Sequence, residues 1–149
     1  MPALRLFLLG SLDIRCDGQQ LPKPPTQKSQ SLFAYLALHR QRPQPREHLA
    51  GMFWGDRHER KARRSLTTAL WHIRHSLPDA AVLLAGPQTV QFDPQVDLWL
   101  DVDEFEELAG HHDPSRLQSA ADLYRGDFLE GFYDDWALSV RYRLDTLFG

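Results

Sequence analysis

The sequence predicts an α+β fold. Its first twenty residues alternate apolar and polar side chains, three helical patterns follow, and a second strand pair precedes an acidic, helical C-terminal stretch. With 149 residues, 42% hydrophobic and 25% charged, the chain has material for one ordinary domain or two small ones, and a disordered or fibrous class is excluded.

In LRLFLLGSLDIRCDGQQL (4–21), Leu12, Ile14 and Cys16 alternate with Asp13, Arg15 and Asp17, as in a half-buried strand. Asp17-Gly18 is a two-residue hairpin signal, so an antiparallel meander of three or four strands is expected here. Pro24-Pro25 closes that region. Thr26 then caps a helix that runs to about His39 and carries the apolar run LFAYLAL. Arg42-Pro43-Gln44-Pro45 reads as a stiff break. Pro45 or Arg46 opens a short helix that buries Leu49, Met52 and Phe53 and stops at Gly55. Asp56, with Glu59 three residues on, reads as a capping-box start for a third helix ending before Pro78. AAVLLAGPQTVQFD then reads as a hairpin turning at Gly86-Pro87-Gln88, with Val90 and Phe92 alternating inward. Beyond it, VDLWLDVDEFEELAG predicts a linker strand running into a helix with a solvated acidic face. Helices at about 115–125 and 134–148 follow, broken by Gly126 and Gly131. In the last of them Trp136, Val140, Leu144 and Leu147 share one face. The boundary is expected at 95/96, giving segments 1–95 and 96–149.

The third helix carries the functional signal. At 100° per residue, Leu66, Leu70, Ile73 and Leu77 fall in one narrow arc that must face a core. Opposite lie Arg64, Thr68 and His75, with Lys61 and Trp71 beside them. Thr67 and Arg74 occupy one flank, Ser65 and His72 the other. Cations that reach phosphates or guanine edges, and hydroxyls and rings that meet bases, suit a helix laid in the major groove of DNA. Helix, short helix and long basic helix, then a hairpin, is the order of a winged helix-turn-helix with the hairpin as wing. Lys28 and Arg46, at the first two helix N-termini, and Gln88 and Thr89, at the wing tip, are further DNA-contact candidates.

Charge divides the same way. Residues 1–95 hold 13 Lys/Arg against 7 Asp/Glu, whereas residues 96–149 hold 4 against 13. A basic part joined to an acidic part suits a polyanion-binding module with a partner or regulatory segment. The longest apolar run, LFAYLAL, is far short of a membrane span, no signal-peptide pattern precedes the first strand, and one cysteine suits a reducing compartment. A cytoplasmic protein without membrane contact is expected.

FWGDRHERKARRSLTTALWHIRHSL (53–77), after its strand-rich start, resembles the OmpR/PhoB-type winged helix, and more closely that of the Streptomyces antibiotic regulatory protein family. The matching points are the FWGD turn, the ARRSL helix opening and the IRHSL ending. ADLYRGDFLEGFYDDWALSVRYRL (121–144) resembles the start of the bacterial transcriptional activator domain that follows in that family, a short all-α, TPR-like segment. The resemblance implies a DNA-binding transcriptional activator in which positions matching Arg64, Ser65, Thr68, Trp71, His72 and Arg74 contact DNA. It implies promoter DNA with direct repeats as partner, tandem or dimeric binding, and contact with RNA polymerase. Many relatives carry Arg where this chain has Trp71 and His72, so base preference does not carry over. The first strand begins at about Leu4, so no phosphoacceptor domain is expected before it.

No enzyme is expected, nor a cofactor or metal. There is no HExxH or paired-cysteine spacing, no Gly-rich phosphate loop and no nucleophile elbow, and His111-His112-Asp113 before Pro114 reads as a polar loop. The competing function is a winged helix used for protein docking alone, with Trp71 as its contact.

Overall fold

The computed structural model describes residues 4–77, 82–111 and 113–148. The chain forms two compact units, Pro22–Val96 and a second built from Met1–Leu21 together with Asp97–Gly149. This corrects the expected partition into 1–95 and 96–149, and strand pairing is the reason. Strand β1 (Leu4–Phe7) takes strand β7 (Leu98–Leu100) as its parallel neighbour, with Leu4 opposite Leu98 and Leu6 opposite Leu100. Divided at the observed boundaries, the charge contrast persists: 11 Lys/Arg against 5 Asp/Glu in the central unit, 6 against 15 in the other.

In the split unit, β1 also pairs antiparallel with β2 (Asp13–Cys16), which pairs with β3 (Gln19–Gln20), for a sheet order β3-β2-β1-β7. The N-terminal sheet is therefore mixed, not purely antiparallel. Asp17 and Gly18 make the β2–β3 turn with φ of 52° and 84°, the left-handed pair a two-residue hairpin requires. Three helices follow β7: α4 (Asp101–Ala109), α5 (Pro114–Leu123) and α6 (Asp135–Phe148). The strand expected at the start of the acidic segment is present as β7, but it is a paired sheet strand and not a linker, so the segment is not all-α. On α6 the inward residues are Ala137 and Leu144, with Trp136 and Val140 half-buried, and Leu147 faces out.

DVDEFEE is not a solvated face at its start. Asp101, only 1% exposed, accepts from the Leu8 amide at 2.8 and 3.0 Å and from the Leu9 amide at 2.9 Å. Opposite it, the Leu8 carbonyl accepts from Leu129 N (2.8 Å), the Gly10 amide donates to Asp127 O (3.0 Å), and Gly10 O accepts from Glu130 N (3.0 Å). Arg141 of α6 donates to the carbonyls of Phe128 (3.0 Å), Leu129 (2.8 Å) and Phe132 (2.8 Å), closing the same loop from behind.

The central unit comprises α1 (Gln27–Leu38), β4 (Gln44–Pro45), α2 (Arg46–Trp54), α3 (Glu59–Ser76), β5 (Leu83–Ala85) and β6 (Thr89–Phe92). Thr26 and Ser29 form a reciprocal capping box on α1. The stiff break at 42–45 is a strand in part: Gln44 and Pro45 pair with Val90 and Thr89, giving a sheet ordered β4-β6-β5. Leu49 and Phe53 of α2 are buried as expected, but Met52 is exposed and Trp54 takes the inward place. A Cβ on Gly55 would collide with the Gly51 carbonyl oxygen, so the α2–α3 turn needs glycine. The cap of α3 is His58, not Asp56, because the helix starts at Glu59; the His58 ring accepts from Arg60 N at 3.4 Å. Leu66, Leu70, Ile73 and Leu77 are buried, joined by Ala62 and Ala69, and Val90 and Phe92 point inward from the hairpin. Pro78, Ala80, Ala81 and His112 lie outside the described residues.

Burial pushes the Asp101 carboxyl up from 3.8 to about 6, against the opposing pull of the Leu8 and Leu9 amides. Raised above its unfolded value, this pKa makes the folded chain hold the proton more tightly. The resulting stability is full below about pH 4 and is lost as pH rises through about 6. In urea unfolding, the stability difference between wild type and Asp101→Asn should shrink by roughly 2 kcal/mol from pH 4 to pH 7. A difference that grows with pH would show that the amides hold the group ionised.

Candidate nucleic-acid interface

Burial of Leu66, Leu70 and Ile73 sets the rotation of α3, and that rotation sorts the polar residues onto a crest and two flanks. The crest carries Arg64, Thr68, Trp71 and His75, all exposed. On one flank, Lys61, Ser65 and His72 join Thr26 and Lys28 of the α1 start and Arg57 of the turn around a shallow groove of about 390 Å³. On the other, Arg63 and Thr67 face Pro45, Arg46, Pro87, Gln88 and Thr89 across a second groove. Arg74 follows Thr67 on that side two turns along, half-buried, with its Nε covered and without an acceptor among the described residues. Lys28 and the α1-side residues are thus brought together, Gln88 and Thr89 lie on the wing side, and no single patch holds all thirteen candidates.

Hydrogen bonding decides what each group can offer. Glu59, the only carboxylate of α3, pairs with Arg63, whereas Lys61 and Arg64 have no ion-pair partner among the described residues. Ser65 Oγ accepts from Arg57 Nη1 at 2.8 Å. Thr67 and Thr68 donate to the carbonyls of Arg63 and Arg64, both at 3.1 Å. Their outward lone pairs can accept from a base amino group, but in this rotamer neither hydroxyl donates to a phosphate.

Trp71 is 55% exposed and stacks on His75, with ring centroids 4.0 Å apart at 24°; its edge meets His72 at 5.5 Å. His75 Nδ1 lies 2.9 Å from the Trp71 carbonyl, which can only accept, so Nδ1 carries the hydrogen. The two rings form a flat plate fixed on the crest.

Arg46 also has a structural part that its place at a helix start does not suggest. Its amide donates to Gln88 O and its Nε to Gly86 O, both at 2.8 Å, so it ties the start of α2 to the turn of the hairpin. Arg57 and Arg63 were not among the sequence-derived candidates. Arg57 was legible as the one basic residue in the turn between FWGD and the helix opening. Arg63 lies only about 50° from the centre of the core arc, outside the outward stripe that hydrophobic spacing marks out. Among the described residues no cluster of His, Cys, Asp and Glu could hold a metal ion, and no helix is long and apolar enough to cross a membrane.

These features match a known architecture. The chain superposes over 99% of its length on the solved structure of Mycobacterium tuberculosis EmbR in complex with a low-affinity phosphopeptide, with a TM-score of 0.77 and 22% sequence identity. Its fold is winged-helix-like. At that identity the likeness is one of fold alone, and the chain spans 43% of the length of the EmbR structure. No family model matches the chain, and comparison with curated proteins returns no match.

If Arg46 is a clamp, Arg46→Ala should lower stability by about 1–2 kcal/mol, the range for one hydrogen bond from a charged group to a part-buried carbonyl. Lys61→Ala, on the open flank, should stay within about 0.5 kcal/mol of wild type. Equal urea midpoints for the two variants would show that the Arg46 side-chain bond adds no stability.

Proposed function

We propose that the protein is a sequence-specific, double-stranded DNA-binding transcriptional regulator, an activator by its family resemblance, and not an enzyme. The observation that carries this reading is α3. Its only carboxylate is neutralised within the helix, its crest is exposed, and cations line both flanks. A major groove about 12 Å wide admits such a helix. In this reading the crest meets base edges, and Lys28, Arg57 and Lys61 meet one phosphate strand. The hairpin, held by Arg46, lays Gln88 and Thr89 against the next groove. Promoter DNA is the partner, with RNA polymerase and a second copy in tandem on direct repeats as further ones, and the cytoplasm is the compartment.

A winged helix that docks only protein is the competing reading, favoured by the exposed Trp71. DNA explains Trp71 equally well, since a flat apolar plate on the crest lies where thymine methyl groups project.

Selection of bound duplexes from a random pool at about 150 mM salt should enrich a motif, and a Lys61/Arg64 double-alanine variant should not. For roughly four to six phosphate contacts, the log–log salt slope should be near −4 to −5. A folded protein that retains no duplex would leave the docking module standing. Replacing thymine by uracil within the selected motif should weaken wild-type binding at one or two positions and leave Trp71→Ala unaffected. Equal losses in both proteins would remove the plate from base readout.

A further inference from the structure

The split unit, for all its acidity, gathers three of its six arginines around one phenyl ring. The guanidinium carbons of Arg125, Arg5 and Arg15 lie 4.9, 5.8 and 6.0 Å from the centroid of Phe7, and Arg5 also sits 4.5 Å over Trp99. Arg5 and Arg15 stand directly opposite each other in the β1–β2 register, where like charges repel. Of the unit's other three arginines, Arg143 pairs with Glu106 and Arg141 donates to three carbonyls, while Arg116 has no ion pair among the described residues. Here only Arg15 has a close ion pair, with Asp13 at 3.1 Å; Arg5 and Arg125 have none among the described residues, although the charge of Arg125 is felt by Asp101.

Arginine stems over aromatic rings cover apolar sheet surface. That accounts for the stems but not for the polar atoms left over. Arg5 Nε is buried without an acceptor, and Asp13 Oδ1 is buried without a donor. Both residues line one recess of about 350 Å³, with Phe7, Arg15, Gly18 and Arg125 around it. An unpaired buried donor and an unpaired buried acceptor are each costly, and both are relieved by a ligand that brings the complementary atoms.

We propose that this recess binds a small oxyanion that also carries a hydroxyl, of the kind a phosphate monoester or hydroxy acid presents. The guanidinium forks of Arg5, Arg15 and Arg125 take the charged oxygens, as planar donors suit planar or tetrahedral oxyanions. Asp13 Oδ1, a carboxylate oxygen that can only accept, takes the hydroxyl hydrogen. The site stands on the split unit and does not depend on the DNA reading of α3.

Inorganic phosphate and sulfate separate the two halves of this recognition. Phosphate near neutral pH retains a proton to donate, whereas sulfate has charge but no donor. The experiment titrates each anion into the full chain and follows the Trp99 indole and Gly18 amide signals in 1H–15N spectra, with chloride holding the ionic strength constant. Saturable shifts at both groups are expected, with phosphate bound about tenfold more tightly than sulfate, the worth of one charge-assisted hydrogen bond. Asp13→Ala should remove the preference, and exposed Arg125→Gln should weaken both anions alike. Shifts confined to α3, no saturation, or a phosphate-to-sulfate ratio unchanged in a folded Asp13→Ala would overturn the proposal.

Discussion

A buried carboxylate joins the two ends of the chain. Asp101 reaches residues 92 and 93 positions earlier to accept from the amides of Leu9 and Leu8, just beyond the parallel pairing of β1 with β7. Bringing such distant segments together has an entropic cost that grows only slowly with length. Once they meet, the sheet, the 127–130 loop and the helices of that unit have a common anchor. A carboxylate at this position is demanding, since it must be desolvated, and its raised pKa records that demand. The adjacent backbone groups bond instead to the loop that Arg141 holds, so the strand end has partners on both sides.

In the central unit the governing constraint is rotational. A helix of 18 residues with one buried stripe has no choice about what faces outward. Apolar contact with α1 and α2 therefore does two jobs: it holds the helix and aims the crest. The polar groups on that crest are not equivalent, however. Local bonds within the helix and turn leave Lys61 and Arg64 open, direct Ser65 toward Arg57, and make acceptors of Thr67 and Thr68. Such differences separate a surface that is merely basic from one able to distinguish bases.

Much of this was legible in sequence because its signals are local. Period 3.6 placed α3 and its buried face to within two residues at either end, Asp17-Gly18 marked its turn, and Val90 and Phe92 alternate inward as their spacing says. Two of the misreadings share a cause: each concerned residues whose role is set by something remote. Gln44 and Pro45 looked like a break because two residues carry no periodicity, and only β6 makes them a strand. Asp101 looked like one more surface acid in an acidic run. That Arg46 also holds the hairpin turn has the same remote origin, since its acceptor lies forty residues along the chain.

By itself, then, the sequence determined the order of the elements, the inward face of each amphipathic helix, the basic stripe on α3 and the contrast in charge between two parts of the chain. Each of these follows from side-chain chemistry repeated at the period of the backbone. Tertiary structure alone decided that the first strands belong with the last helices, that one of thirteen acids after residue 95 is buried, and that three arginines meet around Phe7. Those outcomes depend on which distant backbone groups need partners and which strands lie side by side, and no local pattern encodes either.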